Sequence, residues 1–221
     1  MNLFFSSRLR ANFTKAACAS ILLALPAFAQ IGRRFPSEKK IVPDPVTGVP
    51  LTFLTSTPGK GDAKIYQTHH QWTSDGKWVI FRSNRAGQPQ AMAVNEETGD
   101  MVQVSDSGYQ GMLCIADNSM HLYFLRSVRL PASDVVPAAV PAVPAEATPA
   151  PGVTGGRGGR GGPRGPTQVI SVDLAKLFAD SAAGTLKAAT EYERVCATLP
   201  ADVGAGDMAL DPTEEFAYVR T

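Results

Sequence analysis

Short apolar runs recur along this chain in pairs, each pair split by a tight polar turn. Trp72 and Thr73 lead into Asp75-Gly76, after which Trp78, Val79, Ile80 and Phe81 form an apolar strand pattern. Ala91 to Val94 and Met101 to Val104 supply two further strand patterns, divided by the polar stretch Asn95 to Asp100. A looser copy follows, with Met112 to Ala116, the turn Asp117-Asn118, and Met120 to Leu125. A third pair, Met208 to Leu210 and Phe216 to Val219, flanks a turn at Asp211 to Glu214. Asp and Asn hydrogen-bond their own backbone, and Gly or Asn tolerates positive φ, so the first two turns favour tight hairpins. Those two turns lie 42 positions apart, within the period of one four-stranded propeller blade. Three equivalent turns predict an all-β chain whose leading architecture is a β-propeller.

The remaining pattern sets the order of the elements. Asp44 to Gly48 reads as a turn, and Val49 to Thr55 as a strand whose Pro50 suits an edge or a strand start. Ser56 to Ala63 is a loop, and Lys64 to His70 leads into the first blade. The second blade breaks off near Arg129. Pro131 to Pro166 then holds eight prolines and eight glycines with no aromatic residue, too little apolar surface to offset the entropy of ordering. The strand pattern resumes at Thr167 to Leu174, so this stretch is expected to be a disordered insertion between neighbouring strands. Leu174 to Phe178 suggests a helical turn, Glu193 to Thr198 closes the second blade, and Met208 opens the next. At most three partial blades are present, whereas closed propellers need about four to eight. An unclosed ring leaves a sheet edge unpaired. The expectation is the N-terminal part of a longer protein.

Composition changes this picture at one end. Met1 to Lys15 carries Arg8, Arg10 and Lys15 and no acid; Ala16 to Leu25 is apolar, and Ala27-Phe28-Ala29 places small residues before Gln30. That is the three-part pattern of a secretory signal peptide over residues 1–29, too short in its apolar run to span a membrane. Its removal takes the formal charge from +1 to about −2. Neither a nucleic-acid partner by net charge nor a membrane partner after cleavage is expected. Cys114 and Cys196 remain; export permits a disulfide, but Cys114 sits in an apolar strand pattern that suits a buried free thiol.

Candidate binding residues cluster before and after the first blade's second strand. His69 and His70 precede an inner strand, where a propeller loop faces the central channel, and Tyr66, Gln67 and Gln71 flank them. Strand neighbours point to opposite sides, so one histidine of the pair is expected to face the channel. Arg82 and Arg85 can pair with a carboxylate, or brace the blade as a Ser-x-Arg loop does. His121 on a strand and Trp72 and Trp78 in apolar strands read as structural. Gly155 to Gly165, with three arginines and no aromatic residue, reads as a solvated linker rather than an RNA-binding tract. Neither a phosphate loop nor a Gly-x-Ser-x-Gly element is present.

A family resemblance joins these features. Asp44-Pro-Val-Thr-Gly48 before Leu51 to Thr55, then Thr73 to Phe81, Val172 to Leu177 and Leu199 to Gly206, resemble in order the opening of the oligogalacturonate lyases. The resemblance implies a seven-bladed propeller, of which this chain supplies two to three blades, over residues 30–221. It also implies β-elimination of short, often unsaturated, galacturonides in pectin breakdown, a carbon–oxygen lyase activity with an oligogalacturonide as partner. The family's histidine base, arginine and divalent metal, typically manganese, lie in its later blades. Catalytic residues are therefore expected beyond Thr221, with no metal bound by this part. His69, His70, Arg82 and Arg85 stand as substrate-binding candidates. The Thr73 to Phe81 motif alone is also similar to TolB-like propellers that bind protein partners, and to the propellers of exported serine peptidases. The leader predicts a secreted or periplasmic protein: N-terminal sequencing of exported material should begin at Gln30, and an intact Met1 on a soluble cytoplasmic protein would contradict export.

Overall fold

The computed structural model describes residues 30–66, 69–106, 108–110, 112–128, 165–200 and 207–220. The leader and the Pro/Gly-rich stretch fall outside them. Two antiparallel sheets dominate. In the first, β1 (Arg34–Phe35) lies at one edge and pairs with β7 (Met101–Gln103), followed by β6 (Gln90–Asn95), β5 (Trp78–Ser83) and β4 (Ala63–Lys64). In the second, β8 (Cys114–Ile115), β9 (His121–Ser127), β10 (Thr167–Asp173) and β11 (Glu193–Leu199) are neighbours in chain order. Two hairpins complete the set, β2 (Lys40–Pro43) with β3 (Pro50–Phe53), and β12 (Asp207–Leu210) with β13 (Ala217–Arg220). The described residues are all-β apart from one α-helix and a 3-10 turn, and they form no closed ring.

The three predicted turns share one closing bond. Thr73 N–H donates to Trp78 C=O at 2.9 Å, Ala116 N–H to His121 C=O at 3.0 Å, and Asp211 N–H to Phe216 C=O at 3.1 Å. Asp75 tightens the first turn by accepting from Thr73 Oγ1 at 2.6 Å and from Lys77 N–H at 3.1 Å. Gly76 adopts φ +69°, a value glycine holds without strain, and Glu214 at the matching place in the third turn adopts φ +61°. Its carboxylate bridges back to the second turn, accepting from Ser119 Oγ at 2.6 Å and from Asn118 N–H at 2.5 Å. Those bonds hold the unfavourable backbone in place.

Alternation along each strand then fixes the packing. In β9, Leu122 and Phe124 point into one core with Ile115, Ile170 and Val172, where they meet Ile80, Ala91, Ala93, Val102 and Val104 of the first sheet. Leu125 points to the opposite face, where Cys114, Val169 and Met208 form a second core with Leu210 and Val219 of the third hairpin. The far face of the first sheet buries Phe81, Met92, Val94 and Met101 under Phe35 and Leu54. Each sheet is thus apolar on both faces, and the layers stack face to face.

The helix α1 (Leu174–Ala183) is longer than the expected turn at Leu174 to Phe178. Asp173 caps it by accepting from Lys176 N–H at 2.9 Å, and Gly184 ends it in the left-handed conformation. Leu174, Leu177, Phe178 and Ser181 form its buried face. Phe178 stacks on Trp78 at 4.2 Å, and Ser181 Oγ donates to Gly32 C=O at 2.7 Å. Trp78 therefore packs as expected, but Trp72 is a correction. It makes an isolated bridge to Val79 and stays 40% exposed, because no strand forms around it and no described residue covers it fully. The hairpin β2–β3 is exposed at all eight positions, so its Ile41, Val42 and Phe53 face solvent.

β9 and β10 pair without a break from Asp173 opposite His121 to Thr167 opposite Ser127, and Val128 N–H continues to Pro166 C=O at 3.0 Å. The segment 129–165 thus leaves and returns at adjacent positions. Replacing it by a four-residue polar turn shortens the loop and should stabilise the fold by about 1–2 kcal/mol. Thermal melts should show an equal or higher Tm; a lower one would mean that the segment is bound to the sheets.

Candidate functional site

The stacking brings the starts of three hairpins together around a cavity of about 530 Å3. Ile65, Tyr66 and His69 come from the chain around β4, Arg82 from β5, Met112 and Leu113 from the residues before β8, and Met208, Tyr218 and Arg220 from the third hairpin. Leu113 and Met208 are buried and give the cavity an apolar base, whereas Tyr66 and Tyr218 are 65% and 64% exposed. A smaller cavity of about 170 Å3 adjoins it, lined by His69, His70, Cys114, Asp117 and Asp211 among others. Burial pushes the Cys114 thiol up to about 11 and Sγ donates to Met208 C=O at 3.1 Å, so it is a packed thiol rather than a nucleophile. Cys114 and Cys196 are both free.

The four binding candidates separate. His69 lines both cavities, and its Nδ1 is buried with no hydrogen-bond partner among the described residues. His70 turns to the smaller cavity and sets Nδ1 3.1 Å from Asp117 of the second turn. Arg82 lies on the wall of the larger cavity, with Nη2 donating to Lys64 C=O at 3.2 Å. Arg85 lines neither cavity. Its side chain is only 3% exposed, and it pairs with Glu38 at 2.7 Å and with Asp62. His121 places Nδ1 3.1 Å from Ser119 Oγ, beside the Glu214 bridge.

Arg85 and Glu38 tie the N-terminal segment to the first sheet. Burial works to raise the Glu38 pKa, but bonds from Arg85, from Thr57 and from the Ser56 and Thr57 N–H groups outweigh it and hold it at about 2. The segment leading to β2 and the loop after β3 are thereby fixed to the strand that carries Arg82.

Residues 207–220 were not singled out for binding by sequence pattern. A signal was present: Arg82 follows the turn-closing Trp78 by four positions, and Arg220 follows the turn-closing Phe216 by four. The repeat places both on second strands, and both reach the same cavity. Arg220 Nε lies 3.4 Å from Asp207, its cross-strand partner. Among the described residues no group of three or more His, Cys, Asp or Glu side chains is placed to hold a metal ion. The divalent metal implied by the resemblance has no ligand set among them. No helix of the described residues is long and apolar enough to cross a membrane.

The fold belongs to the class of antiparallel β-proteins built from successive meander sheets, and two solved structures share it. An oligogalacturonate lyase in complex with manganese matches with a TM-score of 0.51 and 18% identity, over 83% of this chain and 35% of that one. An oligogalacturonate lyase from Vibrio parahaemolyticus matches with a TM-score of 0.51 and 17% identity, over 82% and 35%. At these identities the likeness is one of fold, and the chain spans about a third of the length of either lyase. No protein-family model matches the chain, and none of the curated proteins does.

Removing Arg85 leaves the Glu38 and Asp62 carboxylates without the guanidinium they share, so Arg85→Ala should cost about 3–5 kcal/mol in denaturant unfolding. Glu38 has a folded pKa below its unfolded value of 4.5. Its contribution is therefore complete above 4.5 and is lost as pH falls toward 2. The Tm difference between wild type and Glu38→Gln should be largest at neutral pH and narrow across that window. A difference independent of pH would place the Glu38 effect in packing instead.

Proposed function

We propose that this chain forms the opening two to three blades of a seven-bladed propeller of the oligogalacturonate lyase type. On this reading it is exported and acts in the breakdown of pectin-derived acidic sugars. The observation that carries the reading is the cavity where three hairpins meet, in a fold similar over most of the chain to two lyases. Its volume of about 530 Å3 suits a small ligand, in the range of about 300–1,000 Å3 for such sites. Arg82, Arg220 and His69 against Asp207 give it the polarity that an acidic sugar requires.

In β-elimination the proton removed lies α to a carboxylate, so negative charge builds on the carboxylate oxygens while the glycosidic oxygen leaves. Cationic donors near that carboxylate stabilise the developing charge. Residues of this chain are given substrate contact, and the proton transfer belongs to the later blades that the resemblance implies. Full-length protein should cleave digalacturonate without incorporating water, giving a new double bond or its keto rearrangement product. Chelation should abolish the reaction. A hydrolytic product carrying solvent oxygen, or turnover of a peptide ester in place of the sugar, would replace this reading by a hydrolase.

A further inference from the structure

Arg82 lines the larger cavity and makes no ion pair among the described residues. Arg85, three residues along the chain, is paired with two carboxylates. Arg220 has Asp207 beside it. Arg82 donates to the neutral carbonyl of Lys64 and lies within electrostatic reach of the Tyr109 phenol, and no ion pair involves it among the described residues. A guanidinium offers five donors in a planar fork, so most of the donors of Arg82 are left for another acceptor. Buried Leu113 and Met208 give the cavity apolar lining, and the exposed residues Tyr66 and Tyr218 line it as well. His69 Nδ1 adds a sheltered polar atom without a protein partner among the described residues. Cationic, apolar and aromatic lining together call for a ligand with a carboxylate, a C–H face and hydroxyls. A uronic-acid ring has all three.

We infer that Arg82 is the specificity-determining residue of this cavity, pairing with the carboxylate of a uronic-acid unit whose ring lies against Tyr66 and Tyr218. This rests on the acidic-sugar reading above, but it concerns binding by these blades and not elimination. Arg82 contacts the ligand directly, whereas Arg85 acts only by fixing the loop beside it.

Isothermal titration of the 221-residue chain with digalacturonate and with the neutral galactobiose tests the assignment. Digalacturonate should bind at least about tenfold more tightly than galactobiose, and added salt should narrow the gap. Arg82→Gln should remove the preference, bringing digalacturonate affinity down by at least about tenfold toward that of galactobiose. Tyr218→Ala should weaken both sugars together. Arg82→Lys keeps the charge but not the planar fork, so it should fall between wild type and Gln. Three results would overturn the assignment: no digalacturonate binding by the folded chain, equal affinity for the two sugars, or an Arg82→Gln protein that keeps the preference. Should the Gln variant fail to fold, a Lys variant with wild-type affinity overturns it equally. Elimination is read separately on the full-length protein. Arg82-dependent binding without product leaves the cavity assignment standing and removes the lyase reading; product formation indifferent to Arg82→Gln does the reverse.

Discussion

The constraint on which this structure depends is that the second sheet is apolar on both faces. Phe124 and Leu125 are neighbours in β9, both buried, and they point into different cores. A strand of this kind cannot end a globular domain, because each face exposes a row of large side chains unless another layer covers it. The first sheet covers one face and the third hairpin covers the other. Burying a side chain the size of Phe or Leu is worth about 1.5–3 kcal/mol, so the two faces of the same seven-residue strand hold the neighbouring layers in position.

Stacking of successive meanders has a geometric consequence. The strands β4, β8 and β12 belong to three different layers, and residues in or beside each of them line one cavity. Polar ties prevent the layers from sliding: Glu214 spans the third and second turns, His70 reaches Asp117, and Ser181 of the helix holds Gly32. Arg85 with Glu38 does the same for the N-terminal segment. Ion pairs sheltered in this way fix register more than they add stability. Arg82, which makes no ion pair among the described residues, lines the cavity together with Arg220 and Asp207.

Much of this was readable in the residues. The hairpins follow from alternation and from Asp, Asn and Gly at the turns, and the adjacency of β9 and β10 follows from the strand pattern resuming at Thr167. Other features were hidden because they depend on tertiary contact. The helix extends to Ala183 because Asp173 caps it and Phe178 finds Trp78, a partner one hundred residues away. Trp72 looked like core material, yet no strand forms around it. β2 was missed because Lys40 to Pro43 has no alternation that buries a face, and in the structure it buries none. The cavity wall from Asp207 to Arg220 was hidden for another reason: only the shared offset from the turn links Arg220 to Arg82.

Convergence of three separate hairpins on one ligand cavity is the central claim, and hydrogen–deuterium exchange with and without saturating digalacturonate tests it most directly. Convergence predicts slowed exchange in three places at once, around Ile65 to His70, around Met112 and Leu113, and along Met208 to Arg220, with β2 and β3 unchanged. Protection confined to one hairpin, or falling on the exposed β2–β3 or β11 edges, would contradict it.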